Sequence, residues 1–333
     1  MNIGVIGAGS WGTTLADLLA RKGHAVTLWV YEADLAERLS LCRENDLYLP
    51  GFPLAANLTF TADLPLAAAG KELLLLVPPS QSMRSVVQSM APHVAPDTLI
   101  VSAAKGIEND SLLIMSEVLE EVLPPRFAKQ TAFLSGPSFA REVAAGMPTA
   151  VVAAARDLKL AQLVQEVFST AAFRVYTNDD IIGVEMGGAL KNVIALAAGV
   201  SDGLGFGANT RAALITRGLA EMTRLGLAKG AVPATFAGLA GMGDLVLTCT
   251  GDLSRNRAVG MALGQGKSLE EILSGMKMVA EGVKTTLSAF QLAGRLQVET
   301  PIAEQMHGIL YAGKSARQAV GDLMLRELKS EAF

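Results

Sequence analysis

The chain is 333 residues long, 50% hydrophobic and 18% charged, with a formal net charge of −4; this excludes disorder as its main state and supplies apolar material for more than one core. Acidic and basic residues are interleaved, so no basic stripe follows a phosphodiester backbone, and nucleic acid is excluded as a partner. The longest purely apolar runs, such as Val193 to Val200 and Leu73 to Val77, fall far short of the roughly 20 residues of a membrane span.

Met1-Asn2-Ile3-Gly4 leads straight into a strand-like run, without a charged leader or a small-residue cleavage site, and the only cysteines are Cys42 and Cys249. Both features point to a reducing, cytoplasmic setting. From residue 1 to about 178, short apolar runs alternate with helical patterns, the rhythm of βαβ units. Strands are expected at Asn2 to Ile6, Ala25 to Val30, Glu72 to Val77, Thr98 to Ser102, Thr131 to Leu134, Thr149 to Ala154 and Phe173 to Tyr176. Beyond Asp180 the rhythm changes: Asp180 to Val200, Asn209 to Leu225, Arg255 to Leu263, Val283 to Ala293 and Pro301 to Tyr311 suit helices separated by Gly-containing turns. The expected fold is α/β, a doubly wound, mostly parallel Rossmann sheet in residues 1–178 followed by an all-helical second domain in 179–333. With no low-complexity linker between them, the contact of the two domains is the expected place for a ligand.

Gly7-Ala8-Gly9-Ser10-Trp11-Gly12 follows the first strand and opens a helix. In that context Gly7 permits a tight turn, Gly9 lets backbone approach a pyrophosphate and Gly12 allows close packing, while the helix N-terminus supplies N–H donors and a partial positive charge. At the end of the second strand, Val30-Tyr31-Glu32 carries no cation. Glu32 stands at about the 20-residue spacing of a ribose-binding acid and favours NAD, although it also suits the start of the next helix.

Between Asp180 and Asp202 only Glu185 and Lys191 are charged, among small and apolar residues. The helical neighbours of Lys191 are Gly187, Gly188, Ile194 and Ala195, none of which neutralises it. It is therefore either a lysine that snorkels to the surface or a desolvated amine suited to general base work. Lys105 follows the strand Thr98 to Ser102, at the carboxyl end of a parallel sheet where ligands collect. His24, His93 and His307 suit surface or capping positions better than catalysis, and no metal site is expected. Ser254-Arg255-Asn256 opens a helix as an N-cap followed by a guanidinium and an amide, which is a helix start or a phosphate clamp. Asp244, after Gly241-Met242-Gly243, is placed to bind a substrate hydroxyl or to cap a helix.

At these residues the chain closely resembles the bacterial NAD(P)-dependent glycerol-3-phosphate dehydrogenase family. The resemblance rests on GAGSWGTTLA at Gly7, SGPSFAREVAAGMPTA at Ser135, GGALKNVIALAAGVSDGLGFGAN at Gly187, GMGDLVLTCTGDLSRNR at Gly241, VAEGVKT at Val279 and ETPI at Glu299. It implies reversible reduction of dihydroxyacetone phosphate to sn-glycerol 3-phosphate with NAD or NADP, which supplies glycerol 3-phosphate for phospholipid synthesis. It further implies Lys191 as the proton acceptor, with Lys105, Gly136, Ser138, Lys191, Asp244, Ser254, Arg255 and Asn256 against the phosphorylated substrate. Gly7, Gly9, Ser10, Trp11, Gly12, Tyr31, Lys105, Ala140, Arg255, Val279 and Glu281 would meet the cofactor. Many members of the family carry a histidine or arginine where this chain has Tyr31, which leaves Arg38 as the nearest downstream arginine for a 2′-phosphate. The rival readings are a dehydrogenase of 3-hydroxy acids such as 6-phosphogluconate or 3-hydroxyisobutyrate, and a dinucleotide-sensing regulator, which has little use for Lys191. The sequence leaves a homodimer open.

Overall fold

The computed structural model of the chain describes residues 1–276, 280–328 and 330–331. It divides into two compact units, Met1–Lys105 with Met115–Ile181, and Gly106–Ile114 with Ile182–Phe333.

In the first unit, β1 (Asn2–Ile6), β2 (Ala25–Trp29), β3 (Leu58–Thr61), β4 (Leu73–Leu76), β5 (Leu99–Ser102), β6 (Thr131–Ser135), β7 (Thr149–Ala155) and β8 (Phe173–Asn178) form one sheet in the order β3-β2-β1-β4-β5-β6-β7-β8. All neighbours are parallel except β6 and β7. The first six strands thus follow the doubly wound order, with its reversal between β1 and β4. Strands covered on both faces read as unbroken apolar runs, and Leu73 to Leu76 are fully buried for that reason. The connecting helices are α1 (Ser10–Arg21), α2 (Ala33–Cys42), α3 (Leu64–Ala68), α4 (Met83–Met90), α5 (Met115–Val122), α6 (Ala140–Ala144) and α7 (Leu158–Phe168). Their apolar faces, including Leu15 and Leu19 of α1 and Leu35 and Leu39 of α2, bury against the sheet in a core with Ile3, Val5, Leu28 and Leu75. The strand β3 is an addition to the sequence pattern. It is a four-residue edge strand with one neighbour and a single buried side chain, Leu58, so it carries almost no apolar signal.

The second unit is built from α8 (Ile181–Gly203), α9 (Ala208–Ala228), α10 (Pro233–Phe236), α11 (Asp244–Thr250), α12 (Arg255–Gly264), α13 (Leu269–Ser274), α14 (Glu281–Leu296), α15 (Pro301–Tyr311) and α16 (Ala316–Met324). Among its described residues there is no strand, only an isolated bridge between Ile107 and Ile114. Residues 106–114, which the sequence pattern places in the first domain, belong with this unit instead. The cause is apolar: Ile107, Leu112 and Ile114 sit in the helical core with Met186, Leu190 and Leu292. Ser288 Oγ and Arg295 fasten the segment by donating to the carbonyls of Ile107 and Ser111, each at 3.2 Å. Helix α8 is long and apolar enough to cross a membrane, but 94% of its most apolar window is buried inside the protein, as expected of the central helix of a core.

One buried carboxylate in this unit makes its stability depend on pH. Glu221 of α9 is 4% exposed and accepts from the N–H groups of Ile302 (2.7 Å) and Ala303 (3.3 Å), capping α15, where Thr300 makes no side-chain cap. Burial outweighs these two bonds and the charges of Arg224 and Arg326, and pushes the Glu221 carboxyl up from 4.5 to about 7. Because the folded state holds this proton to higher pH than the unfolded chain, its contribution is fully present below about 4.5 and is lost as pH rises through about 7. Unfolding of the wild type compared with Glu221→Gln at pH 5 and pH 8 should show the wild type losing on the order of 1–3 kcal/mol more over that interval. Identical pH dependence in the two proteins would remove Glu221 as the titrating group.

Candidate active site

In the first unit the turn after β1 lies where the strand order reverses. Gly7 has φ +115°, and a Cβ there would stand 2.8 Å from the carbonyl oxygen of Val77. At Gly12 a Cβ would stand 1.9 Å from the Gly7 carbonyl oxygen, so both positions admit only glycine. Around the Cβ position of Gly9 there is nothing within 4 Å, and no side chain caps α1. Open backbone at an uncapped helix N-terminus fits a pyrophosphate. The Trp11 indole N–H, buried without a hydrogen-bond partner, is a further donor on this turn. The residues of this turn, Gly7, Gly9, Ser10, Trp11 and Gly12, therefore fit a dinucleotide. Ala140 is brought to the same helix: α6 packs on α1, and Thr14 Oγ1 donates to the Ala140 carbonyl at 3.3 Å.

At the end of β2, Tyr31 is 79% exposed and edge-on to Trp29, with ring centroids 6.1 Å apart. Glu32 does not cap α2 with its side chain; its carboxylate accepts instead from the Tyr48 hydroxyl at 2.7 Å. Arg38 is held by Asp34 (2.6 Å) and Asp46 (3.4 Å). On the carboxyl side of β5 and β6, Lys105 Nζ and Ser138 Oγ both donate to the Gly136 carbonyl at 3.0 Å. Gly136 has φ +131°, and this kink gathers the three expected substrate residues of the first unit around one carbonyl group.

In the second unit Lys191 lies on α8 and is only 8% exposed. Its helical neighbours were not expected to neutralise it; its counter-ion comes instead from another helix, α11. Lys191 Nζ donates to the carboxylate of Asp244 and, at 2.9 Å, to Thr248 Oγ1, while Thr248 Oγ1 donates to the Asp244 carbonyl at 2.6 Å. A π turn at Leu239–Gly243 delivers Asp244, and Gly187 allows it: a Cβ there would stand 2.5 Å from the carbonyl oxygen of Ala240. Asp244 and Thr248 sit one helical turn apart on α11 and so face Lys191 together. The Asp244 side chain is fully buried. A lysine this buried does not snorkel to the surface.

Ser254 caps α12 by accepting from the Arg257 N–H at 3.2 Å. Asn256, 8% exposed, donates to Asn192 Oδ1 and accepts from the Gly282 N–H, both at 2.9 Å, and so ties α12 to α8 and α14. Arg255 keeps part of its surface in solvent, but desolvation by its surroundings lowers the pKa of its guanidinium, and the Glu281 carboxylate acts against that shift. The structural ion pairs of this helix belong to Arg257, which binds Asp202 (2.8 Å) and Asp252 (3.0 Å). Val279 lies outside the described residues. Thr248, Asn192 and Tyr48 were not singled out by the sequence; the four-residue step from Asp244 to Thr248 on a short helix was the available signal for the first. A cavity of about 220 Å³ lined by Leu119, Pro125, Phe127 and the ion-paired Glu120 and Arg156 contains none of the expected site residues.

A dinucleotide cradle on a Rossmann sheet, in one chain with a helical unit that buries a lysine against a carboxylate, defines a nicotinamide-dependent dehydrogenase. Residues 2–161 match the NAD-dependent glycerol-3-phosphate dehydrogenase N-terminus and residues 180–321 its C-terminus. Over 331 residues the chain is 66% identical to the glycerol-3-phosphate dehydrogenase (NAD(P)+) of Syntrophotalea carbinolica and 64% identical to that of Geobacter sulfurreducens, with 99% of each chain covered. The glycerol-3-phosphate dehydrogenase structure from Coxiella burnetii superposes with a TM-score of 0.93 at 42% identity, over 97% of this chain and 98% of that one. The chain belongs to the NAD-dependent glycerol-3-phosphate dehydrogenase family.

Proposed function

We propose that the protein interconverts dihydroxyacetone phosphate and sn-glycerol 3-phosphate with a nicotinamide dinucleotide, and that in the cytoplasm this reaction supplies glycerol 3-phosphate for phospholipid synthesis. The observation that carries this reading is the buried Lys191 held by Asp244 and Thr248, in a chain matched to one family over both units. When bound, the nicotinamide supplies the acceptor or donor for the hydride at C2. In oxidation the Lys191 amine takes the proton of the C2 hydroxyl as the C2–H bond breaks; in reduction the ammonium returns it to the oxygen. Asp244 fixes the direction of the amine and balances its charge after proton uptake, as a carboxylate does for the histidine of a hydrolytic triad. Arg255 grips the substrate phosphate, with the Ser254 O–H and the N-terminus of α12 beside it. Lys105, Gly136 and Ser138 complete the substrate set. Binding energy from the unreacting phosphate then orients C2 for the transfer.

The test is the initial rate of dihydroxyacetone phosphate reduction with NADH and with NADPH, beside unphosphorylated dihydroxyacetone. Turnover of the phosphorylated ketone alone is expected. Turnover of 6-phosphogluconate or 3-hydroxyisobutyrate in its place would establish a 3-hydroxy acid dehydrogenase, and cofactor binding without any turnover would establish a sensor. Light scattering of the purified protein decides whether it works as a homodimer.

A further inference from the structure

The carboxylates at the end of β2 are arranged in a way the family name leaves open. Glu32 could have capped α2 with its own side chain; its carboxylate turns instead to the Tyr48 hydroxyl at 2.7 Å. Tyr48 is itself fastened to the dinucleotide turn. Its carbonyl accepts from Ser10 Oγ (2.7 Å) and its N–H donates to Asn45 Oδ1 (3.0 Å), while Asn45 Nδ2 donates to the Ala8 carbonyl (2.9 Å) and to Thr13 Oγ1 (2.8 Å). Asn45 is fully buried, so this segment is anchored to the cradle. Burial, and after it the hydrogen bond to Glu32, push the Tyr48 hydroxyl up to about 12, so it stays a donor throughout the working range.

The nearby cations are committed elsewhere. Arg38 is bound by Asp34 and Asp46. Arg43 donates to the carbonyls of Leu58 and Ala55 and lies over the Phe60 ring at 5.0 Å. Tyr31, the residue at the very end of the strand, is neutral and points to solvent. Among the described residues, a 2′-phosphate brought to this end of β2 would meet the Glu32 carboxylate, with Asp34 and Asp46 close by, while Arg38 and Arg43 already hold partners of their own.

We infer that Tyr48 is a positioning residue that holds the Glu32 carboxylate for the two hydroxyls of the adenosine ribose, so that the site selects NAD(H) over NADP(H). This rests on the reading of the first unit as the dinucleotide-binding part of the enzyme. A carboxylate accepts from a vicinal diol and repels a phosphate dianion, and a carboxylate fixed in place loses less entropy on accepting those bonds than a mobile one. The hydrogen bond to Tyr48 is what fixes it.

The test uses equilibrium titration of the full-length protein with NADH and with NADPH, followed by nucleotide fluorescence, alongside steady-state rates with dihydroxyacetone phosphate. Wild type should bind NADH more tightly than NADPH by at least about tenfold, the scale of one like-charge contact. Glu32→Gln should weaken NADH, strengthen NADPH and move their ratio by about tenfold. Tyr48→Phe keeps the ring and the main-chain bonds; it should raise the NADH dissociation constant and KM several-fold, leave kcat nearly unchanged, and leave NADPH affinity unchanged. In the Glu32→Gln background Tyr48→Phe should have no further effect on the ratio. If Tyr48→Phe weakens both nucleotides equally, Tyr48 is structural and the inference fails. If NADPH binds as well as NADH while dihydroxyacetone phosphate is reduced, the inference fails and the proposed function stands. If neither nucleotide binds, both fall.

Discussion

Lys191→Met should lower turnover by roughly 10²- to 10⁴-fold, the range expected when a positioned proton-transfer group is lost, while NADH binding is retained. Methionine keeps the length and apolar character of the stem, so the helix packing around α8 is preserved. The amine, however, is also the cation beside Asp244, which is fully buried. Removing one partner of a buried pair costs about 3–5 kcal/mol, because the remaining charge has lost its counter-ion. The single variant should therefore melt earlier than wild type as well as turn over slowly. The double variant Lys191→Met with Asp244→Asn removes both charges and should recover part of that stability without recovering activity. Two measurements separate the roles: unfolding reports the pair, and kcat reports the proton. If the double variant regained turnover together with stability, Lys191 would be a structural lysine and the acid–base assignment would fail.

The sequence reports this pair only in part, for a physical reason. Periodicity and spacing see neighbours within a helical turn, and by that measure Lys191 has only glycine, alanine and isoleucine around it. Its counter-ion comes from 53 residues further on and is delivered by a π turn that no hydrophobic pattern announces. The dinucleotide turn was legible because its requirements are local: Gly7 and Gly12 are fixed by contacts within a few residues and with the adjacent strand. The central strands were legible because burial on both faces makes Leu73 to Leu76 wholly apolar. Strand β3 was hidden because an edge strand needs apolar residues on only one side. Residues 106–114 were misplaced because Ile107, Leu112 and Ile114 are as apolar as a first-domain segment would be, and sequence does not say which core they enter. Glu32 was legible as an acid at the right spacing, whereas Tyr48, 16 residues beyond it, was not.

For Arg255→Lys the expected loss is about 30-fold in kcat/KM for dihydroxyacetone phosphate. A guanidinium grips two phosphate oxygens through parallel bonds, each worth about 1.5–3 kcal/mol, and an ammonium recovers about one of them. A net loss of roughly 2 kcal/mol gives the stated factor. The structure sharpens this expectation because it separates Arg255 from the arginine that holds the helix. Arg257, not Arg255, makes the ion pairs to Asp202 and Asp252, and Ser254 supplies the cap. Arginine and lysine have similar helix propensities, so Arg255→Lys should leave the melting temperature close to wild type. Arg257→Lys should do the reverse, because Asp202 is a nearly buried carboxylate whose geometry is matched to two guanidinium groups, those of Arg257 and Arg211. It should lower the melting temperature and affect kinetics only through the fraction of folded enzyme. The two variants thus make opposite predictions from a single turn of one helix. NADH titration of Arg255→Lys without substrate completes the assignment: an unchanged dissociation constant places the guanidinium on the substrate phosphate, whereas a rise equal to the loss in kcat/KM would move it to the cofactor.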